Sequence, residues 1–470
     1  MADEQVPLEA DVIVIGGGPA GENVAGRCAD GGLQTVLVER DLLGGECSYW
    51  ACMPSKALLR PGEAVRAAHR VPGAREALGG LVDSAAALAW RDEIVTNWDD
   101  RYQVQWVKEA KVSLVRGHAR LRGPRQVEVD TEDELLRLTA RKAVVLATGS
   151  SAAPPAVRGL AETRVWDNRD ATEARTVPDR LIVLGGGAVG CELAQAFRRL
   201  GSSRVTLIEA GQRLLAKEEP FVGEQVKHAL MDEGVIVYTN ATAIRVFRET
   251  DDGPITAVLV SGQSVTADEL LVAVGRSPNS WDLGLETVGL RPGTYLDVDD
   301  QLRVKNVAGD WLYAVGDVNG RNLLTHMGKY QARLAADHIL GRPAEAWADH
   351  KAVPRVIFTD PPVAAVGLTE AQASEQGIEA RVVACPTESV AGTTVRGEDI
   401  KGTCQLIVDR HRGVLVGATF TGSGVAELVH SATIAIVGEV PMERLRHAVP
   451  SFPTVSEVWL KLVEGYLAAG

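Results

Sequence analysis

The stretch DVIVIGGGPAG, residues 11–21, decides the fold of this chain. A short β-branched run ends in a turn whose glycines Gly16, Gly18 and Gly21 fit the pattern GxGxxG, and a helix of small residues follows. The next strand, TVLVER, ends at Glu39, where a carboxylate can bond the ribose hydroxyls of an adenine dinucleotide. Together these features predict a Rossmann-like dinucleotide-binding domain.

A second fingerprint begins with the sequence LIVLGGGAVG, residues 181–190. Its glycines Gly185, Gly187 and Gly190 match the same pattern, and the strand RVTLIEA that follows ends at Glu209. An acid there favours the free 2′-hydroxyl of NAD and repels the extra phosphate of NADP. Arg213 follows closely in the chain, so the sequence leaves NADP open.

The segment GGECSYWACMPSK, residues 44–56, carries Cys47 and Cys52. Its glycines allow a tight turn, and the apolar run after Ser55 predicts a helix whose first turn holds both cysteines. Unpaired N–H groups and the helix dipole favour a thiolate there, which makes a thiol pair easier to oxidise, reduce and exchange. Residues five apart point to different sides of a regular helix, so a disulfide requires a distorted first turn.

The spacing of the two cysteines also allows two simpler interpretations. They are small buried residues that fall close together by chance, or they belong to a metal site. The metal site is the weaker alternative, because CxxxxC lacks the usual CxxC knuckle and no histidines cluster with it. With a dinucleotide fingerprint on each side, the pair favours a flavin and a nicotinamide bound face to face, with hydride passing between them.

Composition points to a cytoplasmic protein of about three domains. The 470 residues include 49 basic and 62 acidic side chains, a formal charge of −13, which argues against nucleic acid or an anionic membrane as the main partner. The N-terminus is acidic where a signal peptide is basic, and no apolar run approaches the length of a membrane span. Six cysteines in so long a chain do not make a disulfide framework.

Two further regions have predicted structures. Residues 84–112 are predicted to form one long helix in which Trp90, Trp98 and Trp106 lie roughly along one side and pack against a neighbouring helix. From about residue 352, strands and helices alternate without a further glycine fingerprint, which predicts a separate α+β domain.

Six motifs, in this order, resemble the pyridine nucleotide-disulfide oxidoreductases, and in pattern most closely their dihydrolipoamide dehydrogenases. They are the two fingerprints, the cysteine segment between them, ATG at 147–149, GRSPN at 275–279 and AVGD at 314–317. The resemblance covers essentially the whole chain. It implies an α/β fold with two Rossmann-like domains, for FAD and NAD, and a C-terminal α+β dimerisation domain. The implied bounds are 1–155 and 281–345 for the two parts of the FAD-binding domain, 156–280 for the NAD(P)-binding domain and 346–470 for the dimerisation domain.

The resemblance also implies cofactor contacts. FAD would lie on the first fingerprint, with Glu39 on its adenosine ribose and Asp317 near its ribityl chain, and NAD(H) or NADP(H) on the second. His326 would approach the pyrimidine edge of the flavin, although a capping or packing role is equally open. The other residues assigned to the cofactors are Gly45, Thr148, Gly149, Gly275, Arg276 and Gly316.

Four side chains take catalytic roles by the same resemblance. Cys52 would face the flavin ring, and Cys47 would be the interchange thiol that meets the acceptor. Lys56 would lie by the flavin, paired with Glu192, where a positive charge stabilises negative charge on the ring. The alternative for Glu192 is a solvated helix residue.

The family pattern breaks near the C-terminus. Disulfide reductases carry a motif like HPTxxE, whose His reaches the partner subunit's active site as the general base. The corresponding stretch here is AVPSFPTVSEV, in which Glu457 matches the acid that orients the imidazole but Phe452 occupies the His position. A phenyl ring neither accepts nor donates a proton, and general-base assistance is worth roughly 10²–10⁴-fold. His447 lies five residues upstream, too far to substitute easily, and Glu457 alternatively caps a helix or forms a salt bridge.

The sequence therefore predicts an NAD(P)H-dependent flavoprotein oxidoreductase, a homodimer without a metal site. The intact cysteines favour a small disulfide as acceptor, and Phe452 favours a quinone-like acceptor. Tyr49 and Trp50, between the cysteines, would narrow access to Cys47 or offer a stacking surface for a flat acceptor. The non-enzymatic alternative is a flavin-bound redox sensor or complex subunit.

Overall fold

The computed structural model describes residues 7–468, and the chain divides into two units. The first unit combines the residues up to Pro54 with Asp92–Ala153 and Arg276–His350. Its sheet is seven-stranded. Six strands lie in the spatial order Ser113–Arg116, Thr35–Glu39, Glu9–Ile15, Leu135–Leu146, Gln126–Asp130 and His118–Leu121, and Leu312–Ala314 also pairs with Leu135–Leu146.

The Leu135–Leu146 strand makes this one sheet mixed. It is parallel to Glu9–Ile15 and to Leu312–Ala314, and antiparallel to Gln126–Asp130. The parallel part is Rossmann-like, and its Thr35–Glu39 strand is buried at every position, as expected where helices cover both faces of a sheet. The helices of this unit are Pro19–Asp30, Gly45–Tyr49, Arg101–Glu109 and Thr325–Ile339, and a two-stranded ladder joins Ser150–Ala152 to Arg276–Pro278.

The second unit combines Ser55–Arg91, Pro154–Gly275 and the chain from Lys351 onward. Its first sheet is parallel, in the order Ile236–Tyr238, Arg204–Ile208, Arg180–Leu184 and Glu269–Val272. A three-stranded antiparallel sheet follows, formed by Ala243–Arg248, Ile255–Leu259 and Ser264–Ala267. The helices of this part are Asn168–Glu173, Ala188–Leu200 and Pro220–Asp232.

The C-terminal part of this unit has a five-stranded antiparallel sheet. Its order is Pro354–Ile357, Val363–Gly367, Val414–Thr421, Thr403–Asp409 and Ala380–Pro386. The helices are Glu370–Glu375, Ala391–Thr394, Val425–Val437, Met442–Leu445 and Val458–Ala468. The bounds between the two units fall inside three helices, which are Cys52–His69, Ser84–Ile94 and Ala348–Lys351.

The predicted fold class is confirmed: two Rossmann-like parallel sheets and a C-terminal α+β region are present. The four predicted domain bounds stay predictions. The prediction of a single helix over 84–112 is wrong, because the helices Ser84–Ile94 and Arg101–Glu109 are separate. Between them Thr96, Asn97 and Trp98 have positive φ, a conformation that no α-helix continues through.

Candidate active site

The first glycine fingerprint leaves its helix N-terminus open to a ligand. Gly16 has φ +101°, and a Cβ there would lie 2.5 Å from the carbonyl oxygen of Ala147. A Cβ at Gly21 would lie 1.8 Å from the carbonyl oxygen of Gly16, so neither position admits a side chain. Among the described residues nothing lies within 4 Å of a Cβ built on Gly18, the N-cap of the Pro19–Asp30 helix. These residues fit a pyrophosphate held on backbone N–H groups.

Glu39 is buried at the end of its strand and braces the loops around it. Its Oε2 accepts a hydrogen bond of 2.6 Å from Gly17 N, and its Oε1 accepts one of 2.6 Å from Asp41 N. The carboxylate also lines a cavity of about 190 Å³ in the first unit. His118 and Trp281 line the same cavity, and no sequence motif singled them out. The cavity lies beside the carboxylate predicted to contact the adenosine ribose.

A second polar group of the first unit contains three predicted cofactor residues, Asp317, Arg276 and Thr148. Ser150 Oγ donates to Asp317 Oδ2 at 2.6 Å, and Arg276 Nε donates to Ser150 Oγ at 2.7 Å. Burial raises the pKa of the Asp317 carboxyl, while Ser150 and Arg276 work against that rise. The neighbouring Thr148 donates its hydroxyl to Asn279 O at 2.8 Å.

Three predicted glycines adjoin this polar group. Gly149 has φ +71° and precedes Ser150, and Gly275 directly precedes the Arg276–Pro278 strand. Gly316 has φ +76°, and a Cβ there would lie 3.3 Å from the Ala20 Cβ. The AVGD turn therefore lies against the first turn of the Pro19–Asp30 helix.

Gly45 brings the cysteine segment against the first fingerprint. It has φ +58°, and a Cβ on it would lie 2.8 Å from the Cα of Gly18. Only glycine fits so close an approach in this conformation. Gly45 also begins a short helix that ends at Tyr49 and carries Cys47.

The two cysteines lie on two successive helical segments. Cys47 is on Gly45–Tyr49, and Cys52 begins Cys52–His69, with Trp50 non-helical between them at φ −134°. The prediction that one helical first turn holds both cysteines is therefore wrong, although the expected distortion is present. Within residues 7–468 no cysteine is joined in a disulfide, so the pair is described in its reduced form.

Thr325 is a site residue that sequence reasoning missed. Its Oγ1 lies 3.3 Å from Cys52 Sγ, and it is the first residue of the Thr325–Ile339 helix. Contact with Cys52, together with burial, raises the pKa of the Cys47 thiol, and the Thr325 hydroxyl works in the opposite direction. His326 follows it and is exposed in the first turn of the same helix. The only sequence signal that could have identified Thr325 is that it is a hydroxyl residue at the start of a helix.

The stacking surface predicted for Tyr49 and Trp50 is absent from the described part of the chain. Tyr49 is 1% exposed and Trp50 is 6% exposed. Both rings pack in a cluster with Val95, against Leu42 and Trp98. Because the rings turn into the core, they support the cysteine segment and offer no face to a flat acceptor.

Lys56 and Glu192 form the ion pair that the resemblance implied. Lys56 Nζ lies 2.7 Å from Glu192 Oε2, and Glu192 is 4% exposed. The other carboxylate oxygen accepts from Phe358 N at 2.8 Å, and the ammonium lies 4.9 Å from the Phe358 ring centroid. The alternative of a solvated helix residue is wrong for Glu192.

The second fingerprint repeats the geometry of the first. Gly185 has φ +106°, and a Cβ there would lie 2.4 Å from the carbonyl oxygen of Ala273. A Cβ at Gly190 would lie 1.9 Å from the carbonyl oxygen of Gly185. Among the described residues nothing lies within 4 Å of a Cβ built on Gly187. Glu209 accepts from Gly186 N at 2.6 Å and from Gly211 N at 2.5 Å.

Arg213 faces backbone carbonyls of its own loop. Its guanidinium donates to Glu218 O at 2.8 Å and to Ala216 O at 2.7 Å. Two of the guanidinium nitrogens therefore already donate to backbone oxygens of the chain.

The C-terminal motif is exposed at its variant position. Phe452 is 77% exposed, and His447 is exposed in the turn after the Met442–Leu445 helix. Glu457 Oε2 accepts from Gly392 N at 3.0 Å, and a Cβ at Gly392 would lie 1.9 Å from the carbonyl carbon of Thr454. Glu457 therefore ties the motif to the Ala391–Thr394 helix.

In residues 7–468 no group of three or more His, Cys, Asp or Glu side chains is arranged to hold a metal ion. No helix in that range is long and apolar enough to cross a membrane.

Comparisons with known proteins agree on one family. The family model for pyridine nucleotide-disulphide oxidoreductases matches residues 10–336, and the model for their dimerisation domain matches residues 353–463. The chain is 32% identical over 468 residues to a dihydrolipoyl dehydrogenase of Haloferax volcanii, covering 97% of this chain and 96% of the relative. It is 30% identical over 454 residues to a mercuric reductase of Staphylococcus aureus, covering 95% and 80%.

Solved structures agree with this result. The Cu(II) complex of the HOCl-induced flavoprotein disulfide reductase RclA from Escherichia coli matches with a TM-score of 0.85 at 25% identity, covering 97% of this chain and 99% of that chain. The predictions of an enzyme that uses FAD and NAD(P)H are confirmed, and the dimerisation domain supports a homodimer. The chain is a member of the pyridine nucleotide-disulfide oxidoreductase family, as these matches show and as its two glycine fingerprints and its cysteine segment indicate.

Proposed function

We propose that this enzyme oxidises NADH in the cytoplasm and passes the electrons to a quinone-like acceptor in preference to a small disulfide. The observation that carries the proposal is the side chain at position 452. Phe452 is 77% exposed where the family motif has its general base, and it offers no group that exchanges a proton. Glu457, which would orient an imidazole, is instead hydrogen-bonded to Gly392 N.

The fit of both cofactors rests on this chain's own residues. FAD, when bound, supplies two-electron transfer between a nicotinamide and a sulfur or other acceptor. The open N-terminus at Gly18 and the cavity beside Glu39 support FAD on the first fingerprint. Lys56 and Glu192 form a pair whose predicted role is to hold positive charge beside the flavin.

The second fingerprint supports NADH as the donor. Glu209 is the acid at the end of the second strand, and a carboxylate there repels a 2′-phosphate. Arg213, the nearby cation that could receive such a phosphate, has its guanidinium on backbone carbonyls. Glu209 is therefore the residue that would discriminate between NADH and NADPH.

A small disulfide is the second candidate acceptor. It is favoured by the contact between Cys52 and Thr325, which keeps a hydroxyl beside the dithiol. Thiol–disulfide exchange at Cys47 needs a proton donor or acceptor for the substrate sulfur. Without one at position 452, exchange should be slow.

The experiment is steady-state oxidation of NADH by the purified FAD-loaded dimer, with benzoquinone and lipoamide as parallel acceptors. The proposal expects quinone turnover to exceed lipoamide turnover by about 100-fold, the lower range of general-base assistance. A Cys47→Ser variant serves as the control, because it abolishes lipoamide turnover in either case. Rapid lipoamide reduction by the unaltered protein would overturn the proposal.

A further inference from the structure

A second pair of cysteines lies in the C-terminal sheet, outside the site described above. Cys385 is on the edge strand Ala380–Pro386, and Cys404 is on the neighbouring strand Thr403–Asp409. The antiparallel register places them directly opposite each other, between the pairs Ala384 with Gln405 and Pro386 with Thr403.

Direct opposition brings the two side chains within bonding range. Cβ atoms of directly opposed residues in an antiparallel pair are about 4.5–5.5 Å apart. A disulfide joins residues whose Cα atoms are roughly 4.4–6.8 Å apart and whose Cβ atoms are roughly 3.5–4.5 Å apart. Opposed strand positions meet the first condition and lie at the upper edge of the second. Bond formation at this site therefore needs only small local shifts.

The two thiols differ in access. Cys404 is fully buried, and its Sγ lies 3.3 Å from the hydroxyl oxygen of Thr387. Cys385 is partly exposed on the edge strand. A small oxidant from solvent thus meets Cys385 first.

The surroundings of Cys385 also favour its thiolate. The Cys404 thiol, the Lys461 ammonium and the Ser389 hydroxyl lower the pKa of Cys385. Contact with Cys385 and burial raise the pKa of Cys404. This is the asymmetry of an attacking thiolate beside a resolving thiol.

We propose that Cys385 and Cys404 form a second redox-active dithiol, which a hydroperoxide converts to a cross-strand disulfide. The Cys385 thiolate attacks one peroxide oxygen, the O–O bond breaks, hydroxide leaves and a sulfenic acid forms on Cys385. The Cys404 sulfur then attacks the Cys385 sulfur, the S–O bond breaks and the S–S bond forms. The two sulfurs lose two electrons, the thiol protons of Cys385 and Cys404 go to the two departing oxygens, and one hydrogen peroxide becomes two waters.

The disulfide would close the base of the segment that supports the C-terminal motif. Thr387 N donates to Gly402 O at 3.0 Å at this base, and the segment between them carries the Ala391–Thr394 helix. That helix is tied to Glu457 through the N–H of Gly392. Oxidation therefore braces the segment that contacts Thr454 and Glu457.

Peptide mapping of the FAD-loaded protein tests the proposal. Trypsin releases Cys385 in the peptide 382–396 and Cys404 in the peptide 402–410, so their disulfide appears as one linked peptide. After hydrogen peroxide treatment and blocking of remaining thiols, we expect this linked peptide, reversed by dithiothreitol, in chains that migrate as monomers on a non-reducing gel. Cys404→Ser should leave a sulfenic acid on Cys385 that dimedone traps.

Two results would overturn the proposal. One is sulfinic acid on Cys385 with Cys404 still a blocked thiol, which would mean that the buried thiol does not resolve. The other is a link between two chains. The supporting segment gives a second readout, because Arg396 and Lys401 are exposed trypsin sites. Native cleavage there should slow after oxidation in the unaltered protein but not in Cys385→Ser, and equal slowing in both would contradict the bracing role.

Discussion

The Oγ1 atom of Thr325 lies 3.3 Å from the Sγ atom of Cys52, at the first residue of the Thr325–Ile339 helix. The same hydroxyl lowers the pKa of Cys47, against burial and the contact with Cys52. One side chain of the first unit thus acts on both sulfurs of the redox pair.

Thr325→Val should make the reduced cysteine pair react at higher pH. Loss of one hydrogen bond to a thiolate corresponds to a shift of about 0.5–1 pH unit. The measurement is the pH dependence of iodoacetamide alkylation of the peptide 41–56, which contains both cysteines. Thr325→Ser is the matched control and should keep the original profile; an unchanged profile for the valine variant would contradict this role.

Lys56→Met should destabilise the protein by about 1–3 kcal/mol. The change leaves the Glu192 carboxylate, which is 4% exposed, without its cation. The loss of stability should be smaller than for a fully buried pair, because the Lys56 side chain is 35% exposed. Adding Glu192→Gln should restore most of the loss, as measured by unfolding midpoints of single and double variants. Arg60→Met, which breaks the exposed pair with Glu63 on the same helix, is the control and should have little effect.

Glu209→Gln should weaken the preference for NADH. Removing the charge takes away the repulsion of a 2′-phosphate, and we expect the ratio of kcat/KM for NADPH over NADH to rise by about 10-fold, on the order of one lost charge interaction. Arg213→Ala should leave that ratio unchanged, because the guanidinium is bonded to carbonyls. A fall in NADPH use in the Arg213 variant would show that this arginine does contact the phosphate.

Glu22→Gln should stabilise the protein at pH 8 more than at pH 5. Burial raises the pKa of Glu22 to about 7, and within residues 7–468 its Oε1 has no hydrogen-bond partner. A carboxyl with a raised pKa in the folded state contributes stability below its unfolded pKa, and this is lost as pH rises through about 7. The gain at pH 8 should be about 1–3 kcal/mol. Glu375→Gln, at an exposed position, should show no such pH dependence in thermal unfolding.

Local patterns predicted the parts of the site that are local in the chain. Both fingerprints place glycines where a Cβ would collide with backbone, and each acid after the second strand accepts from the glycine loop, so spacing alone located them. The pairing of Lys56 with Glu192 was predicted only from the family resemblance, because the two residues are far apart in sequence.

Contacts that depend on tertiary packing could not be predicted in this way. Helical spacing favoured one helix over 84–112, but three residues with positive φ interrupt it. Nothing in the sequence of Tyr49 and Trp50 indicates that their rings turn inward. Cys385 and Cys404 become neighbours only through the strand register, which requires the folded sheet.

The most direct test of the central claim is the effect of Phe452→His on acceptor preference. If the missing general base limits exchange, the variant should raise NADH-dependent lipoamide reduction by about 10-fold or more, part of the full general-base effect, and leave benzoquinone reduction unchanged. Phe452→Leu should change neither rate. A folded, FAD-loaded histidine variant whose lipoamide rate does not rise would contradict the account, because the residue at position 452 would then not decide which acceptor the enzyme uses.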